Sequence, residues 1–207
     1  KLDVSSKGDV GLAGAALSGA NVALTAKEGF VAAGNASITA STELDVSSKG
    51  DIGLAGAKLS TTGAAVSLSS AEGAVDLSGE SVFKAQSLTL ASQKDINLAN
   101  RAIMVEETAS VESGGSVTAQ GATIQAQSLQ MIAATAVNAE NAKLATTEEM
   151  TLTAGTNLKA EAAQLSGASV ALTAEVGAVA ANGASITAAD KLDVSSKGDV
   201  GLAGAAL

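Results

Sequence analysis

Apolar residues alternate with small or polar ones in short runs along the whole chain. In LDVSSKGDVGLAG, residues 2–14, Leu2 and Val4 form one apolar pair, Val10 and Leu12 a second, and a glycine closes the run. A period of two is the signature of a strand with one buried face. Weaker copies of this unit recur to the last residue. Anchoring each copy on the small residue that ends its second pair gives Gly14, Asn35, Gly56, Gly79, Asn100, Gly121, Asn141, Ala162, Gly183 and Gly204. The spacing is 21 residues in seven of nine steps, with one step of 23 and one of 20. All but Ala162 are Gly or Asn, which enter the left-handed region most cheaply, so the series reads as a ladder of structural corners.

Two further columns accompany the corners. Four residues before them stand Val10, Val31, Ile52, Val75, Ile96, Val117, Val137, Leu158, Val179 and Val200, and three residues after them Leu17, Ile38, Leu59, Val82, Ile103, Ile124, Leu144, Leu165, Ile186 and Leu207. Neither column has an exception. A third pair precedes each corner, from Leu2 and Val4 to Leu192 and Val194, and weakens only at Ala109 and Val111. Three alternations per 21 residues predict an all-β fold, a right-handed three-sided parallel β-helix (β-solenoid) of about ten coils. The hand follows the general preference for right-handed parallel crossovers. Ala-rich segments favour helix, but the period of two, the β-branched inward columns and the regular glycines oppose it.

A longer repeat lies over the coils. Residues 191–207 are identical to residues 1–17, so the chain returns to its start after 190 residues and nine coils, and residues 18–59 agree with 166–207 at 31 of 42 positions. The coils of residues 64–149 have diverged furthest. No linker interrupts residues 1–207, which read as one continuous solenoid. The opening KLDVSS has neither an initiator Met nor a signal sequence and reads as cut from a longer chain. Both terminal coils then expose strand edges. Covering them with the next 190-residue unit predicts an axial repeat of about 43 Å.

Composition narrows the function. Pro, Cys, Trp, Tyr and His are absent and the only aromatics are two Phe, so the interior must be narrow enough for Val, Leu, Ile and Ala to fill. A net charge of −9 disfavours nucleic acid and an anionic membrane surface, and no apolar run is long enough to span a bilayer. Without His or Cys, Ser–His and Cys–His nucleophilic catalysis and the zinc, copper and haem sites that need those ligands are excluded. Glu106, Glu107, Glu112, Glu148 and Glu149 are the carboxylates that could act on polysaccharide, but no aromatic platform accompanies them. Asp9, Asp51, Asp95 and Asp199 share a column five residues before the corner, which invites a calcium reading. The calcium nonapeptide is missing, and Asp after Gly is ordinary turn chemistry. No catalytic, metal or cofactor site is predicted.

One interaction patch stands out. Phe83 and Met104 each lie four residues after a corner, where other coils carry small or polar residues, and Glu80 and Arg101 replace the Ala that otherwise follows the corner. Stacked on one outward face, the four form an apolar pair beside an ion pair. The competing reading is that the 23-residue step bends the third strand and turns Phe83 inward. The small outward residues of the second strand, such as Gly11, Ala32 and Gly53, either relieve crowding or admit a neighbouring solenoid.

The phrasing GDVGLAGAALSGANVALTA, with GD before an alternating run and an A-x-L-S run after it, resembles the haemagglutinin-type repeats of filamentous adhesins exported by two-partner secretion. That resemblance implies a right-handed β-helix, an extracellular or cell-surface location, and a role as fibre or adhesin shaft with no enzymatic activity. The expected partner is the chain itself, end to end and in lateral bundles. The alternatives are an adhesin whose carbohydrate or cell-surface ligand binds the diverged coils 64–149, a polysaccharide-active enzyme, and a β-helical spike.

Overall fold

The computed structural model describes residues 1–207 as 25 short strands with no helix, and the pairings between them are parallel. Each coil contributes a strand to each of three faces, except that the third face of coil 10 is reduced to a single bridge between Ala206 and Ser185. The second face is a ten-stranded sheet of two-residue strands, from Val10–Gly11 to Val200–Gly201. First and third faces belong to one fifteen-stranded sheet. They are continuous because four long strands, Ala16–Ala26, Ser37–Ser48, Gln164–Ala174 and Ser185–Ser196, run from the third face of one coil into the first face of the next. In coils 4 to 7 the chain bends at that place instead, as between Val82–Ala85 and Ser87–Ser92.

The inward columns merge into one hydrophobic cluster of 55 buried residues. No aromatic platform is needed, because coils stacked at about 4.8 Å turn each column into a ladder of similar side chains. Every corner of the series has positive φ, from 53° at Ala162 to 131° at Gly79. At nine of the ten, the residue after the corner donates its N–H to the carbonyl two residues before it, as Ala15 to Leu12 at 2.9 Å and Ala184 to Ala181 at 3.2 Å. Gly79 is the exception. Its φ is twice the usual value and the closing hydrogen bond is absent.

Coil 4 accordingly departs from the expected register. The extra residues of the 23-residue step form a separate turn, in which Gly63 has φ 75° and Ala64 donates to Thr61. The opened corner at Gly79 then adds one residue before the third strand. Because side chains alternate, a one-residue slip exchanges inside for outside. Phe83, not Val82, pairs with Ile103 and fills the inward column: Phe83 is 0% exposed and Val82 52%. The column three residues after the corner therefore has one exception.

Candidate interaction site

The four residues singled out in coils 4 and 5 do not form the expected surface patch. Phe83 is in the core, as the bent-strand reading has it, and Lys84 is the residue that stacks on Met104. Arg101 occupies the inward column held in neighbouring coils by Ala36, Ala57 and Ala122, and it is fully buried. Its guanidinium enters the space left by the open Gly79 corner. There Nη1 donates to Ser81 Oγ at 2.7 Å and Nη2 to the Ala57 carbonyl at 2.8 Å, while Ser81 Oγ donates to that same carbonyl at 2.9 Å.

The reason is visible in the ladder. The carbonyl of Ala36 accepts from Lys58, that of Arg101 from Thr123 and that of Ala122 from Lys143, but no backbone N–H of coil 4 reaches Ala57. Arg101 and Ser81 supply the missing donors across two coils. Nε is buried without a partner, and burial pushes the guanidinium below its ordinary value. Arginine still keeps its charge. Glu80 lies at the surface and makes no ion pair with it; the ion pairs present, such as Lys7–Glu28 and Lys49–Glu72, are exposed and elsewhere.

What faces solvent at this level is a shallow groove of about 560 Å³ along the bend of coils 4 to 7, lined by Lys84, Met104, Glu106, Gln125, Gln127 and Thr147 among others. Met104 is 38% exposed on its floor. Beside it Gln86, Glu107, Gln127 and Glu148 stack in successive coils. Gln86 donates to Glu107 at 3.0 Å and Gln127 to Glu148 at 2.9 Å, so each carboxylate is held by the amide of the coil before it. Glu149 accepts from Thr151, and Glu112 stands apart on the first face. The arrangement is a polar ladder, not a pair of carboxylates aimed at one bond.

The Asp column is tied to neighbouring coils, not to its own turns. Asp9 Oδ1 accepts from the N–H of Phe30, Asp51 Oδ1 from Ala74, Asp95 Oδ1 from Ser116 and Asn157 Oδ1 from Ala178, at 2.7–3.1 Å. No three carboxylates converge. A buried column that sequence reasoning missed, Ser48, Ser70, Ser92 and Ser113, similarly satisfies turn carbonyls such as Gly50, Gly73 and Lys94. Four serines recurring at the end of the first-face strand were the available signal.

A family model described as hemagglutinin repeat matches residues 99–207, just over half of the chain. No curated protein and no solved structure matches it. The matched stretch covers coils 6 to 10, where the corner, the three inward columns and the parallel stacking all recur. By sequence family and by fold, this chain belongs to the hemagglutinin repeat family, the β-solenoid repeats of filamentous adhesins.

Proposed function

We propose that the chain is a length of rigid, non-catalytic shaft in an extracellular filament. The observation that carries this reading is the unbroken core. Fifty-five buried residues form one cluster, and coil-to-coil hydrogen bonds run through all ten coils, so stiffness is distributed along the axis. Return of the opening sequence in coil 10 lets the same contacts continue, with residues 1–190 as one structural unit of a single solenoid. The smooth second face of the end coils suits lateral bundling. Immunogold labelling of intact source cells with antibody to this chain tests the reading: label along surface fibres is expected, and label confined to the cell interior overturns it.

A second reading has its own support in the groove of coils 4 to 7. Exposed Gln125 and Gln127 amides beside Lys84 and Glu106 offer the donors and acceptors that carbohydrate hydroxyls use. Glycan-array binding that Gln125→Ala and Gln127→Ala abolish would favour an adhesin surface within residues 64–149 over a passive shaft.

A further inference from the structure

We propose that the third face of this solenoid packs sideways on the first face of a second copy of the chain, lysine to carboxylate. The two faces carry opposite charge. Across coils 2 to 9 the first-face strands hold Glu43, Asp45, Glu112 and Glu149 and no Lys or Arg, while the third-face strands of coils 1 to 9 hold Lys58, Lys84 and Lys143 and no Asp or Glu. Lysine reaches the first face only in coils 1 and 10, where Lys1 and Lys191 are each paired with the Asp two residues on. Beside the seven charged residues in their strands, Leu44, Leu59, Phe83, Val111, Leu144 and Met150 fill the core, so alternation turns the charges outward. All seven are exposed except the half-buried Asp45.

Neither set is neutralised within the chain. The ion pairs present use Lys1, Lys7, Lys49 and Lys191. Glu43 and Asp45 stand two residues apart, and the ladder sets Asn21 and Ala65 beside the first, Ala23 and Ser67 beside the second, with no cation among them. Among its lysines the third face also exposes Val82 and Met104, apolar surface that a second sheet covers. The spacing fits a copy of the same chain. Lys84 and Lys143 lie in coils 4 and 7, Asp45 and Glu112 in coils 3 and 6, so each pair spans three coils, about 14 Å, and one placement brings both lysines onto carboxylates. Coils 3 to 8 offer a flat area of about 29 Å by 16 Å. Two such faces bury roughly 900 Å² in all, just under the size of a stand-alone interface. A single contact is therefore weak, and it gains strength by repetition along two parallel shafts.

This inference rests on the shaft reading for its setting, a fibre in which copies lie side by side, but the two fail separately, since the contact is measured in solution and the shaft by labelling on cells. Purified chain, followed by sedimentation velocity, is expected to associate at about 0.1 M salt and to disperse toward 1 M. At the lower value a screening length of about 10 Å spares charges in contact and damps the long-range repulsion between chains of net charge −9. Lys84→Glu with Lys143→Glu makes both faces acidic, and Asp45→Lys with Glu112→Lys makes both basic. Each double variant alone should need at least about tenfold more protein to associate, because like charges then meet across the contact. An equal mixture of the two should associate as the parent does, which a folding defect in either could not produce, and circular dichroism of each should match the parent. A parent chain that stays monomeric at 0.1 M salt, association that both charge reversals leave unchanged, or a mixture that fails to restore it would overturn the proposal.

Discussion

Coils 4 and 5 and coils 8 and 9 build the same corner in different ways. In the later pair, Ala163 and Ala184 follow the corner, close a tight turn at 3.2 Å and leave their carbonyls to the next coil. In the earlier pair the corner at Gly79 is open, the third strand has slipped by one residue, and Arg101 crosses two coils to reach the carbonyl left over. A solenoid can thus absorb an insertion if two conditions hold. Parity of the inward column must be restored within the coil, here by Phe83, and every stranded backbone group must find a donor, since a buried orphan is costly.

The contrast can be broken most forcefully at the slipped strand. Phe83→Ala should cost about 3 to 5 kcal/mol, the range for emptying an aromatic site in a packed core. Val82→Ser should stay within about 0.5 kcal/mol, as for an exposed position. Urea unfolding of the two variants decides the register, and the reverse order would return Val82 to the core.

Next in size is the staple. Arg101→Ala removes two charge-assisted hydrogen bonds and should cost about 2 to 3 kcal/mol. Adding Ser81→Ala to it should cost much less than the sum of the single changes, because both side chains serve the Ala57 carbonyl. Full additivity in thermal unfolding would mean that they act independently.

The regular coils have a weak point of their own. Ala162 is the one corner whose side chain gains nothing from a φ of 53°. Replacing it with Gly should stabilise the solenoid by about 1 kcal/mol, the strain of an L-residue in the left-handed region, read as a rise in melting temperature.

The smallest effect expected is pH-dependent. Desolvation first, and then the neighbouring charge of Glu43, hold the Asp45 carboxyl above its ordinary value of 3.8. The folded state therefore binds that proton more tightly than the unfolded chain, and this residue's contribution to stability falls as pH rises through the acid range. Asp45→Asn should be more stable than the parent at neutral pH and lose that advantage below the ordinary value. An advantage that grows on acidification would reverse the sign.

Much of the fold was legible because its signals are local and repeated. Period-two alternation, a recurring Gly or Asn and a 21-residue step each point to one architecture, and ten copies average out the exceptions. The candidate site was less legible because it lies where the repeat fails. A 23-residue step announces an insertion, but its extra turn at Gly63 lies ahead of the corner, and the opening of the Gly79 corner decides which of Val82 and Phe83 turns inward. That depends on pairing with Ile103, a residue of another coil. Arg101 was conspicuous among alanines, yet its partners are Ser81 and a carbonyl 44 residues away, a distance in sequence that stacking collapses.

The sequence by itself determined the coil: the strands, the corners, the inward columns and the return of residues 1–17 at 191–207 follow from alternation and chain conformation within about twenty residues. Only the tertiary structure decided what one coil does to the next. The register of the slipped strand, the Arg101 staple, the Gln–Glu ladder and the Asp side chains that accept from the next coil all arise between residues brought within hydrogen-bond reach by stacking. Neither partner of such a pair carries a sign of the other until the coils are in contact.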